Sequence, residues 1–188
     1  MRIKDIVTLV KYGPHFRTVR EGNVMYLKGN QFDDDYQLTL FKDSYINIDY
    51  DYNEQKHFLV ENDVILAAKG FRNFAWKYTA DIGDCIASSL FYVIKLNSEI
   101  IQPDYFTMCI NSPRIQHELK NIGLGATIPA IPRNELLRIK IAIPTMEEQK
   151  KAVAIHKLLN EQISLERKIL QRRINIKNGL LNLLTEQS

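Results

Sequence analysis

The C-terminal stretch from Thr145 to Leu184 constrains this chain more than any other. Pro144 precedes it, and Thr145 and Glu148 have the Ser/Thr-x-x-Glu spacing of a capping box. No proline interrupts the stretch, and its one glycine, Gly179, comes late. These features predict a single uninterrupted helix. At 1.5 Å per residue, roughly 40 residues make a rod about 60 Å long, beyond the usual globular range. Its apolar residues fall in two neighbouring seams. One holds Leu158, Leu165, Ile169, Ile176, Leu180 and Leu183; the other holds Leu159, Ile163, Leu170, Ile174, Leu181 and Leu184. Each repeats mostly in steps of four and seven, the spacing of a coiled-coil face. Side by side they are too wide for one narrow seam, and an apolar surface of that size marks an interface. Nothing earlier in the chain offers a helix of similar length and periodicity. The expected partner is therefore another chain, most simply a second copy. The alternative is a rod folded back on its own domain.

About 140 residues precede the rod, enough for one domain with a proper core. The expected division is a domain over 1–144 and the rod over 145–188. No apolar run approaches the ~18 residues of a membrane span, and the N-terminus lacks a signal-peptide pattern. Cys85 and Cys109 are too few and too far apart for a zinc site or a disulfide framework. They read as buried reduced thiols, and the chain as cytoplasmic. The net charge of +3 says little by itself, but the charges are segregated. Residues 33–63 hold nine acidic and two basic side chains, whereas residues 64–80 hold three basic and no acidic ones. If the basic stretches converge, they suit a phosphate backbone; a mixed solvated surface is the alternative.

Along the domain, Ile3 to Val10 predicts a short helix or strand end, and Lys11 to Gly22 a loop. Val24 to Leu27 reads as a strand followed by a turn at Lys28, Gly29 and Asn30. Asp33, Asp34 and Asp35 form a solvated turn, or less readily a metal ligand set, since they lack the alternating spacing of a calcium loop. Tyr45 to Tyr52, Phe58 to Val60 and Val64 to Ala68 are strand-like, the last two around a turn at Glu61, Asn62 and Asp63. Cys85 to Leu96 reads as one central strand. Asp104 to Leu119 is helical, broken at Asn111-Ser112-Pro113. Gly123 to Thr127 is a glycine-rich turn without the context of a dinucleotide site. Pro129 and Pro132 bracket an extended connector, Asn134 to Ile139 a short helix, and Lys140 to Ile143 a short strand. The fold class is α+β, with a long C-terminal helix that forms a coiled coil.

The stretch from Lys69 to Tyr78 interleaves three cations with four aromatic residues around Gly70, directly after a strand. Cations suit phosphates, Arg and Asn suit purine edges, and aromatics pack on sugar or base. The alternative is a hairpin with Phe71 and Phe74 in the core and its cations in water. Catalytic constellations are missing: there is no nucleophile elbow, phosphate-binding P-loop or His-Glu-x-x-His. His15, His57, His117 and His156 are scattered. Glu61, Asp63 and Lys69 make a nuclease-like triple of a kind that chance also produces. No cofactor and no metal are expected.

From about Leu59 to Leu184 the chain resembles the specificity subunit of Type I restriction-modification systems. Four stretches carry the resemblance: Leu59 to Gly70, an acidic turn, a strand and a basic-glycine loop; Gly123 to Pro132 with the following Asn134-Glu135-Leu136; Ile139 to Gln149, with the family's Ile-Pro-x-x-x-Glu-Gln entry to its long helix; and the rod, ending Ile176 to Leu181. The resemblance implies an α+β target-recognition domain over 1–144 and a spacer helix over 145–188. It implies sequence-specific binding of double-stranded DNA on behalf of separate methyltransferase and restriction-translocase subunits, with no catalysis in this chain. The usual subunit carries two recognition domains and two spacers; this sequence carries one set, like a half-subunit or a fragment. A half-subunit is expected to homodimerise through antiparallel rods and to read a bipartite, palindromic target. Expected DNA contacts are Lys69, Gly70, Arg72, Asn73 and Lys77, then Lys28, Asn30 and Gln31, then Thr127 and Arg133, with Arg72 and Asn73 reading bases. The rivals are a coiled-coil adaptor that binds another protein and a small metal-dependent nuclease using Asp63.

Overall fold

The structure, a computed structural model, describes residues 1–39, 44–48, 55–122 and 128–185. The chain divides into two compact units, Met1–Gln149 and Lys150–Ser188. The first holds seven described strands: β1 (Val7–Tyr12), β2 (Val24–Leu27), β3 (Tyr45–Ile46), β4 (Val64–Ala67), β5 (Ala75–Lys77), β6 (Cys85–Ala87) and β7 (Phe91–Leu96). They make two sheets. One runs in the order β1-β7-β4-β5 with every pair antiparallel; the other runs β3-β2-β6, with β2 and β6 parallel.

Side-chain alternation along the strands puts the two sheets face to face. Met25 and Leu27 of β2 and Cys85 and Ala87 of β6 meet Ile65 and Ala67 of β4 and Phe91 and Val93 of β7 in one core. The alternate residues Val24, Tyr26 and Ile86 turn to the far side of the small sheet, where Ile46 and Ile48 cover them. Both faces of β2 are therefore buried, which explains its unbroken Val-Met-Tyr-Leu run. Burial pushes the Cys85 thiol up to about 12, so it stays an unreactive apolar filler.

The run from Cys85 to Leu96 is not the single central strand that its apolar pattern predicts. Ser88 to Leu90 turn the chain from one sheet into the other. The Ser88 amide donates to the Leu27 carbonyl at 2.9 Å, and the Phe91 amide donates to the Ser88 carbonyl at 2.9 Å. The backbone of Gly13 packs against this turn so closely that a Cβ there would overlap the Ala87 carbonyl. Three other expected strands shrink. Phe58 makes only an isolated bridge to Ile86, and Lys140 only one to Arg2. Tyr45 to Tyr52 gives the two-residue β3, and its residues 49–52 lie outside those described. Ile3 to Val10 resolves into a 3-10 turn, Ile3–Asp5, and the start of β1.

Among the described residues, the helices of six residues or more are α1 (Pro103–Ile110), α2 (Pro113–Ile122), α3 (Arg133–Arg138) and α4 (Met146–Thr185). The break between α1 and α2 has a structural use. Asn111 donates to the Ala75 carbonyl at 2.9 Å and accepts from the Ala75 amide at 2.8 Å. Its side chain thus pairs with the outer edge of β5 as another strand would, which blunts an exposed edge. In α4 the expected cap is present: Thr145 Oγ1 donates to Glu148 Oε2 at 2.7 Å, and the Thr145 amide donates to the same oxygen at 2.8 Å. These donors hold the Glu148 carboxyl below its usual range. The adjacent Gln149 is fully buried, accepting from the Gln102 amide at 2.9 Å and donating to the Ile100 carbonyl at 3.0 Å. The Glu-Gln pair thus caps the helix with one side chain and ties its first turn to the loop before α1 with the other.

Within the second unit, both apolar seams of α4 face solvent. Their residues are exposed by 40% at Ile174 to 71% at Leu184. At 100° per residue the seams span about half the helix circumference.

Candidate nucleic-acid interface

The β4–β5 hairpin ends in the loop from Ala68 to Phe74, and hydrogen bonds pin that loop on two sides. On one side runs the connector before α3. The Gly70 amide donates to the Pro129 carbonyl at 2.8 Å, the Ile131 amide to the Ala68 carbonyl at 2.8 Å, and Lys69 bridges Ala130. Gly70 has φ +106°, a conformation that favours glycine, so this residue sets the loop's bend. On the other side lies the turn after β2. Arg72 Nη1 donates to the Phe32 carbonyl at 2.7 Å. Three stretches distant in sequence, 28–32, 69–73 and 129–133, thus share one end of the domain.

The side chains of the loop are held as well. Lys69 Nζ lies 4.3 Å above the Tyr12 ring, and Tyr12 stacks on Tyr92 at 4.2 Å. The Arg72 guanidinium sits 5.5 Å from the Tyr36 ring and 5.2 Å from the Phe74 ring. Its Nη2 is buried without a hydrogen-bond partner among the described residues. Asn73 donates to the Ala67 carbonyl at 2.8 Å. Phe74 is buried among Phe32, Tyr36 and Phe91. Phe71 is 87% exposed. The pair that the alternative reading placed in the core is therefore split, one ring inside and one in water.

The expected contact residues fall into three groups. Lys69, Gly70, Arg72 and Asn73 lie in the loop, with Arg133 exposed just beyond the connector. Lys28 and Asn30 lie on the neighbouring turn. Lys28 Nζ donates to Thr18 Oγ1 at 3.0 Å, and Asn30 is exposed. Gln31, also on that turn, is not on the surface. It is 2% exposed, and its side-chain amide is spent on the Lys28 amide and the Tyr26 carbonyl, so it holds the turn together. Lys77 belongs elsewhere. It pairs with Val64 at the opposite end of the hairpin, and its ammonium meets Asp104 at 2.8 Å, joining β5 to α1. Thr127 lies outside the described residues, as does the rest of the glycine-rich turn.

Local charge gives the site a direction. Asp33 to Asp35 follow directly on Phe32 and are exposed, so the turn side is acidic; Lys69 and Arg133 make the connector side basic. The aspartate run itself is a turn, with Asp33 Oδ1 accepting from the amides of Asp35 and Gln37 at 3.0 and 2.8 Å.

The nuclease-like triple does not assemble. Asp63 precedes β4 and pairs with Lys95 at 3.0 Å, Glu61 accepts from the Ala80 amide at 2.7 Å, and Lys69 lies past the far end of β4. At 3.3 Å per residue, Asp63 and Lys69 are about 20 Å apart along the strand. Among the described residues no group of three or more His, Cys, Asp or Glu could hold a metal ion. None of their helices is long and apolar enough to cross a membrane.

Comparison with known proteins bears on this geometry. A family model described as the Type I restriction modification DNA specificity domain matches residues 1–172, the whole globular unit and much of α4. The fold is similar to that of the S subunit of a Type I restriction-modification system from M. genitalium, with TM-score 0.62 and 14% identity over 87% of this chain and 39% of that one. It is likewise similar to the HsdS subunit from Thermoanaerobacter tengcongensis, with TM-score 0.63 and 17% identity over 90% of this chain and 43% of that one. The chain thus spans about two-fifths of the length of these solved structures. No curated protein matches it.

Proposed function

Because the chain belongs to the family of Type I restriction modification DNA specificity domains, we propose that it is a DNA-reading subunit with no catalysis of its own. Residues 1–144 are the target-recognition domain and residues 145–188 the spacer. The subunit brings a methyltransferase and a restriction-translocase to its target on double-stranded DNA in the cytoplasm. The observation that carries this reading is the match of one family model to both the globular unit and the rod. The hairpin loop supports it: a pinned loop carries Lys69 and an exposed aromatic ring, with Arg133 beside it and no carboxylate in residues 64–80. Lys69 and Arg133 position phosphates. Arg72 and Asn73 reach base edges by releasing their contacts with the Phe32 and Ala67 carbonyls. Lys28 and Asn30 extend the contact along the turn.

The rod supplies the second half of the proposal. Two exposed apolar seams on one helix need apolar partners, and a second copy supplies an identical set. Two copies paired through antiparallel rods are related by a two-fold axis, so their target is a split palindrome with a fixed spacer. Selection of duplexes from a randomised pool by the purified chain tests the DNA reading. Enrichment of one motif is expected; recovery of an unenriched pool contradicts it.

A further inference from the structure

Three of the four side chains borne on the loop from Lys69 to Asn73 are engaged within the chain. Lys69 covers the Tyr12 ring, Arg72 holds the Phe32 carbonyl, and Asn73 holds the Ala67 carbonyl. Phe71 is left, 87% exposed, beside a glycine whose backbone faces open space. A phenylalanine is usually buried, so its place on a fixed loop between two cations calls for a partner. The backbone under it is pinned at Ala68 and Gly70 by the connector. Docking the ring therefore orders little that is not already ordered.

The chemistry of the ring narrows what it can discriminate. In the major groove the base edges present hydrogen-bond donors and acceptors, the C5–H of cytosine, and one apolar group of any size, the 5-methyl group of thymine. A phenyl ring has neither a donor nor an acceptor to offer. We propose that Phe71 is a specificity-determining residue that packs on a thymine methyl group in the target, with Lys69 beside it facing the phosphates. This rests on the DNA-reading function proposed above. It adds a base contact of a kind that the cations and amides of the loop cannot make.

The test compares the wild-type chain with Phe71→Ala and Phe71→Leu. Phe71 is exposed, so the variants are expected to keep the wild-type far-UV circular dichroism. Each protein selects duplexes from a randomised pool. The wild-type motif is then remade with deoxyuridine at each thymine in turn, which removes only the methyl group. The expected result is one thymine per half-site where uracil weakens wild-type binding about fourfold, the worth of one buried methyl. Phe71→Ala loses the preference at that position and is insensitive to uracil there, whereas Phe71→Leu keeps part of both. If Phe71→Ala selects the same motif with the same uracil sensitivity, the inference is overturned while the DNA reading stands. It is equally overturned if that variant reads DNA normally but binds the methyltransferase subunit less well, since the ring then serves a protein contact. A wild-type chain that enriches no motif overturns both.

Discussion

Replacing Ile169 and Ile176 together by glutamate is expected to leave the chain monomeric at concentrations where the proposed wild-type dimer forms. The two residues lie seven apart on one seam of α4, and both are exposed in the isolated chain, at 43% and 64%. Burying an isoleucine side chain contributes about 1.5–3 kcal/mol. In a two-fold dimer each position occurs twice, so four side chains leave the interface. Only the area exposed in the single chain is newly buried, about half of each side chain, so the association free energy falls by about 3–6 kcal/mol, or roughly 10²–10⁴-fold in Kd, before any cost of burying the new carboxylates. Light scattering over a concentration series measures the change. Gln171→Glu, on the opposite side of the helix, is the control and leaves the dimer intact. Equal masses for the double variant and the wild type would remove the seam from the interface.

Phe74→Ala lowers the unfolding free energy of the globular unit by about 3–5 kcal/mol, the range for deleting a buried phenyl ring. Phe74 is 1% exposed and lies in the middle of an aromatic cluster. Phe32 is 4.9 Å away, Tyr36 stacks on it at 5.3 Å, and Phe91 meets it edge-on at 6.0 Å. The ring also carries the Arg72 guanidinium, so the substitution loosens the loop as well as the core. Trp76, the one tryptophan in the chain, sits 5.4 Å from Phe32 and reports the transition by fluorescence. The urea midpoint is expected to fall with the slope unchanged. Phe74→Leu keeps most of the volume and costs less. A loss below about 1 kcal/mol for the alanine variant would mean that the cluster collapses freely, contrary to the dense packing of protein cores.

Elements governed by local rules were legible in the residues alone. The start of α4 followed from Thr145 and Glu148, the break between α1 and α2 from Pro113, and β2 from four consecutive apolar residues. Each depends on contacts within a few positions, which a pattern can encode. The path from Cys85 to Leu96 was not legible, because a continuous apolar run reads the same for one buried strand as for two in facing sheets. The sheet switch depends on Gly13 and Leu27, far away in the chain. Residue type likewise located the loop at Lys69 to Asn73 without giving its side-chain directions. Arg72 turns inward because Phe32 and Tyr36 are there to receive it, and Gln31 is buried because the turn needs its amide. Phe71 and Phe74, three residues apart, look alike in sequence, yet one is in water and the other in the core.

In the reading proposed above, two copies of this chain recognise a split, palindromic DNA target. Mapping methylated bases in the DNA of cells carrying this chain with a Type I methyltransferase subunit tests it most directly. The expected result is one bipartite motif, modified on both strands, whose two halves are inverted copies across a fixed spacer. Methylation confined to an asymmetric motif, or no methylation that depends on this chain, would contradict it.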